Sequence, residues 1–171
     1  MKRIYAPWRH KYVSKTTRSG DRKKQKKDCV FCYKFKSNED KKNLILKRYN
    51  NSVIIMNLHP YNAGHLMVLP CEHKAELSDL SSKVRSELIN VVNIAIEALK
   101  KTMNPDGFNV GINLGMAGGG GLPSHLHFHV LPRWTGDTNF LATLDDTKII
   151  CSDFDEIYEL LKKELKNKKI K

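Results

Sequence analysis

The chain has 171 residues, with 30 Lys or Arg against 18 Asp or Glu, for a formal net charge of +12. That length suits one domain with short arms, large enough to bury a core without staples, and a hydrophobic content of 40% excludes a wholly disordered chain. No apolar run nears the ~20 residues that span a bilayer, no signal-peptide stretch opens the chain, and four Cys are too few for a disulfide scaffold, so a cytoplasmic location away from membranes is expected.

The chain opens on a basic arm. Residues 1–27 hold 11 Lys or Arg and one acid, and residues 162–171 hold six Lys and one Glu, which leaves 13 bases and 16 acids in residues 28–161. The expected organisation is therefore an arm over 1–27, a near-neutral body over 28–161 and a basic end of the C-terminal helix or tail over 162–171. A basic pI alone points to nucleic acid, but charge confined to the ends weakens that reading, and no nucleic-acid partner is expected for the body. The arms read as solvated tails, as attractors of a polyanionic substrate, or as non-specific nucleic-acid contacts.

Next comes Cys29-Val-Phe-Cys32, a CxxC knuckle that reads as a metal site, a redox pair or two buried thiols. Leu44–Leu46 and Ser52–Met56 flank a Tyr49-Asn50-Asn51 turn and predict a hairpin. His65–Leu69 predicts a third strand. Leu80, Val84, Leu88, Val92, Ala95, Leu99 and Met103 recur at three- and four-residue steps and predict a long helix, stopped by Asn104-Pro-Asp-Gly107. Phe108–Leu114 and Leu126–Leu131 predict two strands around a glycine-rich loop, Gly115–Ser124. A last helix carries Phe154, Ile157, Leu161 and Leu165, with Ser152 or Asp153 as its cap. The fold class is α+β: a mainly antiparallel five-stranded sheet with one long helix and a C-terminal helix. A parallel sheet would need crossover helices that the first three strands lack.

Chemistry concentrates in Ser124-His125-Leu-His127-Phe-His129-Val-Leu-Pro132-Arg133. A strand has a side-chain period of two, so His125, His127 and His129 share one face while Leu126, Phe128 and Val130 enter a core. Three of the seven His at strict alternation are costly unless that face has polar work to do. They read as a solvent-facing coat, as joint metal ligands, or as groups for attack on phosphorus, for which imidazole suits neutral pH. The loop Gly115–Gly121, with Gly119, Gly120 and Gly121 nearest the His run, lets backbone N–H groups approach an anion. Asn113 adds an amide donor. Ser124 is a further donor to phosphate, or simply part of a strand-entry turn. Local positive potential is expected from His65, His127, His129, Arg133 and the loop amides.

The run Phe108–Gly115, the glycine loop and His125-Leu-His127-Phe-His129-Val-Leu resemble the histidine triad (HIT) superfamily, whose signature is His-φ-His-φ-His-φ-φ with φ apolar. Asn57–Pro70 resembles its second motif. Pro132–Phe140 and Ala6-Pro7-Trp8-Arg9 resemble the bacterial diadenosine polyphosphate phosphorylase and hydrolase branch. The resemblance implies the HIT fold and a homodimer formed through the long helix and an extended sheet. It implies that His127 attacks the α-phosphorus of a nucleotide to give a nucleotidyl-histidine, released to water or phosphate. His129 would contact the α-phosphate and leaving-group oxygens, His65 and Asn113 would hold the other side of the phosphate, and Asn57 would bind the ribose. Apolar residues of the early strands would sandwich the base. Protonated His and backbone donors would stabilise the transition state without a catalytic metal or organic cofactor.

At the loop position where hydrolytic members carry Gln and phosphorylase-like members Ser, this chain has Gly121, so the acceptor stays open. Nucleoside phosphoramidase, hydrolysis of adenylyl conjugates and non-catalytic nucleotide binding are the rival functions. His129, where the hexose-1-phosphate uridylyltransferase branch has Gln, argues against that branch.

By the same resemblance, the CxxC pair combines with His73, just past the third strand, and with His125. Cys29, Cys32, His73 and His125 would form a closed structural Cys₂His₂ zinc site that pins the N-terminal arm to the sheet. Cys71 and Cys151 read as ordinary thiols, and His10 and His59 as surface residues. Trp134 is either an adenine-stacking residue or a core or dimer-interface residue.

Overall fold

The structure, a computed structural model, describes residues 29–119, 121–137 and 152–170. The basic arm 1–27, with Ala6–Arg9 and His10, lies outside those residues, as do Gly120, Asn139, Phe140 and Cys151.

The strand-forming runs pair as their alternation predicts. β1 (Ile45–Arg48), β2 (Ser52–Met56), β3 (Leu66–Pro70), β4 (Gly107–Ile112) and β5 (Phe128–Arg133) form one antiparallel sheet in the order β1-β2-β3-β5-β4. β1 and β2 make the expected hairpin. The helices are α1 (Val30–Lys36), α2 (Ser82–Met103) and α3 (Phe154–Leu165). This is the α+β class and architecture read from the sequence.

The two long helices start and stop on their own chemistry. The Ser81 side chain accepts the Val84 N–H at the start of α2, and Asn104 ends it in the left-handed conformation at φ 45°, a capping geometry that Asn tolerates. Asp153, rather than Ser152, caps α3 by accepting from the N–H groups of Asp155 and Glu156. α3 runs through residue 161 to Leu165, which is fully buried.

Each face of the sheet is covered by different elements. On one face Ile54, Met56, Leu66, Val68, Phe128 and Val130 pack with Val84, Leu88, Val91, Ala95 and Leu99 of α2 and Ile157 and Leu161 of α3. On the other, Val53, Ile55, Met67 and Leu69 pack with Cys29 and Phe31. The sequence reading gave no helix over 30–36. Phe31 and Phe35 stand at helical i,i+4 spacing with ring centroids 6.4 Å apart, but a seven-residue helix depends on tertiary packing rather than intrinsic propensity.

Gly64 brings the turn before β3 onto α2. Its φ is +70°, and a Cβ there would strike Met103 Sδ and approach Leu99 within 3.1 Å. Gly64→Ala is expected to cost about 1–3 kcal/mol through positive-φ strain and overpacking, measured as a lower urea midpoint at unchanged m-value.

Candidate active site

β5 begins at Phe128, two residues later than predicted, so His125 and His127 precede the ladder. The alternation nevertheless extends through them. Leu126, Phe128 and Val130 enter the core beneath α2. The imidazoles take the opposite face, where the Phe31 ring lies 5.5 Å from His125 and 5.7 Å from His127. His129 pairs with Met67 across β3 and β5, and its ring centroid is 4.8 Å from His127 and 5.1 Å from His65. Each of the three triad rings has a different set of partners.

His127 lies 2.9 Å from the His125 carbonyl through Nδ1. A carbonyl only accepts, so Nδ1 carries the proton and Nε2 keeps a lone pair. His65 is wired in the opposite sense. Its Nδ1 receives the Tyr61 backbone N–H at 3.1 Å, which leaves its proton on Nε2. That nitrogen stands 2.9 Å from His129 Nδ1, so His65 donates and His129 accepts. The His129 proton is thereby placed on Nε2, a buried atom without a hydrogen-bond partner among the described residues. The site thus holds one unprotonated ring nitrogen beside one unpartnered N–H donor.

Burial keeps these rings neutral. Desolvation, then repulsion from His129 and His127, lowers the His65 pKa to about 3. Desolvation, then His127, lowers that of His129 to about 4. His127 is also lowered by desolvation, against an opposing effect of its bond to the His125 carbonyl. The expectation of protonated His concerns the transition state, with an anion bound; the unliganded rings are held neutral. Neutral N–H donors and a neutral lone pair are what the fold presents near pH 7.

Asn57 follows β2, with Nδ2 3.3 Å from His65 Nδ1 and Oδ1 accepting the His59 N–H. Asn113 follows β4 and faces the glycine loop, its Nδ2 3.8 Å from where a Cβ on Gly119 would stand. Gly115 and Gly119 have φ of +66° and +85°. Gly121 and Ser124 lie in the turns leading to His125. Trp134 is different. It follows the end of β5, roughly 16 Å along the chain from His129 at strand rise. Arg133 lies at the end of β5, its guanidinium engaged by Asp137 and Asn109.

His125 belongs to a second cluster. Its Nε2 donates to the Pro70 carbonyl at 3.0 Å, so the Nδ1 lone pair faces Cys29 Sγ at 3.4 Å and Cys32 Sγ at 3.6 Å. His73 Nδ1 lies 3.3 Å from Cys32 Sγ. The four ligand atoms of Cys29, Cys32, His73 and His125 all lie within 4.8 Å of one another and could hold a metal ion. Cys29 caps α1 and Cys32 lies in its first turn, which explains how a two-residue spacer aims both thiols at one point. Exposed Cys71 and His59 lie outside this cluster.

Phe31 and Tyr61 were missed as site residues. The only available signal for Phe31 was its place inside the CxxC pair. Tyr61 contributes a backbone N–H, which no side-chain pattern reveals, together with a ring 4.8 Å from His65. No helix among the described residues is long and apolar enough to cross a membrane.

Comparison with known proteins agrees with this geometry. A protein of Mycobacterium tuberculosis named AP-4-A phosphorylase is 36% identical over 150 residues, covering 88% of this chain and 77% of its own. An asymmetrical bis(5'-nucleosyl)-tetraphosphatase of Schizosaccharomyces pombe is 29% identical over 93 residues, covering 54% of this chain and 50% of its own. A crystal structure of a Zn-bound histidine triad family protein from Mycobacterium smegmatis superposes with a TM-score of 0.66 at 26% identity, covering 82% of this chain and 94% of that one. The family model for the HIT domain matches residues 37–136, a span that holds the whole sheet and all three alternating imidazoles. This chain therefore belongs to the HIT family.

Proposed function

We propose that the protein is an enzyme that cleaves dinucleoside polyphosphates of the diadenosine tetraphosphate kind at the α-phosphate, with His127 as nucleophile. The observation that carries this reading is the opposed wiring of neighbouring rings, with the lone pair on His127 Nε2 and the proton on His129 Nε2. The His127 lone pair forms a P–N bond while the α-phosphorus bond to the leaving polyphosphate breaks, and the leaving oxygen keeps that electron pair. His129 Nε2–H hydrogen-bonds to the departing oxygen or an α-phosphate oxygen, and His65 holds His129 in the donor tautomer. Phosphate or water then attacks the same phosphorus and returns the lone pair to His127. Asn113, Ser124 and the amides of Gly119, Gly120 and Gly121 steady the phosphate as preorganised donors. Asn57 takes the ribose, and apolar side chains beside it and Trp134, the latter across a subunit boundary, take the base.

The Cys29, Cys32, His73 and His125 cluster is read as a structural zinc site. Tetrahedral zinc with bonds of about 2.3 Å to sulfur and 2.0–2.1 Å to nitrogen sets ligand atoms roughly 3.5 Å apart. The 3.3–3.6 Å sulfur–nitrogen separations fit that spacing, and the His125–Pro70 bond supplies the outer-shell partner such ligands use. Zinc would supply a cross-link between α1 and the triad strand, with no open position for chemistry.

A homodimer is proposed through α2 and the β4 edge. β4 has a neighbour on one side only, and Val110 on it is 45% exposed, a feature of edges meant to be covered. A cytoplasmic location, a HIT body over 28–161 whose last helix continues to Leu165, and basic ends that attract the polyanionic substrate complete the reading.

The deciding experiment incubates purified protein with diadenosine tetraphosphate, with and without phosphate, and follows the nucleotides. ADP and ATP formed only with phosphate identify a phosphorylase, the expected result. AMP and ATP without phosphate identify a hydrolase. AMP released only from amine conjugates identifies a phosphoramidase and overturns the substrate assignment. No turnover with tight AMP binding identifies a nucleotide-binding protein.

A further inference from the structure

A hydrogen-bond network outside the imidazole cluster borders the His65–His129 pair. Asn62 is buried, 5% exposed, and every polar atom of its side chain is used. Its Nδ2 donates to the Pro132 carbonyl at 3.0 Å and to Asp137 Oδ1 at 2.7 Å, and its Oδ1 accepts the Ala63 N–H at 3.1 Å. Its carbonyl accepts the His65 N–H at 3.2 Å. Asp137, with a side chain 4% exposed, takes Asn62 on one oxygen and Arg133 Nε on the other. The turn holding Asp137 is itself tied to Asp106, which accepts the backbone N–H of Thr135 at 2.7 Å and its hydroxyl at 2.9 Å.

This anchorage bears directly on the rings, because the residue beside Asn62 is Tyr61. The Tyr61 N–H donates to His65 Nδ1, and the Tyr61 ring lies 4.8 Å from His65 and 5.9 Å from His129. We propose that Asn62 and Asp137 are positioning residues that hold the Tyr61 amide on His65, and thereby fix the tautomers of both His65 and His129. Backbone N–H groups only donate, so an amide held on Nδ1 leaves one neutral tautomer. Asn57 Nδ2 stands 3.3 Å from the same nitrogen. Asn57 is the residue assigned to the ribose, so the Tyr61 amide is the donor that stays on His65 when nucleotide is bound. The consequence for catalysis rests on the reading of His129 as donor. The tautomer claim itself does not.

The test is ¹⁵N-histidine NMR on the full-length metal-replete protein at neutral pH, free and saturated with AMP, alongside steady-state kinetics. In the wild type both His65 and His129 should show the Nε2–H tautomer. Asn62→Ala, Asn62→Asp and Asp137→Asn should each give mixed tautomers at His65 and His129 and about 10-fold lower kcat. Asn62→Asp combined with Asp137→Asn exchanges donor and acceptor across the 2.7 Å contact while leaving the Pro132 carbonyl without its donor, and should recover part of the Nε2–H population and of kcat relative to either single variant. If Asn62→Ala fails to fold, Asp137→Asn and the exchange variant carry the test. Wild-type tautomers in folded, AMP-bound single variants overturn the proposal, whatever the activity. Mixed tautomers with wild-type turnover support the clamp and overturn the donor role given to His129.

Discussion

His127→Asn is expected to remove more than about 99% of turnover, a barrier increase of at least about 3 kcal/mol, while leaving fold and metal content intact. The His127 ring is positioned by the His125 carbonyl, Phe31 and His129, and Asn preserves an N–H donor at nearly the same place. It removes the ring nitrogen lone pair that would form the bond to phosphorus. A rapid-quench experiment with adenine-labelled substrate should trap an adenylyl-enzyme in the wild type and none in His127→Asn, with AMP binding within a few-fold of wild type. Near-wild-type turnover in the folded variant would remove His127 from the mechanism.

The second large effect concerns the metal. Cys32→Ser should reduce zinc from near one equivalent to almost none by elemental analysis, and should lower the unfolding midpoint by many degrees, because metal binding and folding are thermodynamically coupled. Cys32 is chosen because its sulfur lies near both His73 and His125. Turnover should fall as well, since His125 links the four-ligand cluster to His127: its ring faces the thiols and its carbonyl accepts the His127 Nδ1–H. Wild-type protein purified without near-stoichiometric zinc, or zinc content unchanged in Cys29→Ser, would rule the site out.

The sheet and the two long helices were legible because they write one periodicity over many residues. Seven apolar positions from Leu80 to Met103 keep helical spacing, and Ser52–Met56 pairs over its full length with β3. The triad was legible because alternation and chemistry coincide in His125, His127 and His129. The tautomers were not, because they depend on which backbone group faces each ring. The His125 carbonyl and the Tyr61 amide carry no side-chain signature. The neutral state of His65 and His129 was equally hidden, since burial is a property of the assembled sheet. The partners of Arg133 were hidden for a related reason: the β4–β5 pairing brings Asn109 to it, and the turn after β5 brings Asp137.

The zigzag of residues 125–130 also limits how this protein can change in length. Leu126, Phe128 and Val130 fill the α2 side while His125, His127 and His129 fill the other, and one inserted or deleted residue inverts a strand. A single-codon indel there would bury imidazoles under α2 and expose Phe128, losing core, metal cluster and nucleophile at once. The start of the preceding loop has no such alternation to keep. Residues 115–118 are exposed turns, and lengthening a loop there costs little because closure entropy grows only logarithmically. Natural or engineered length variation should therefore collect before Gly119, ahead of the amides assigned to the phosphate, and stop abruptly at His125.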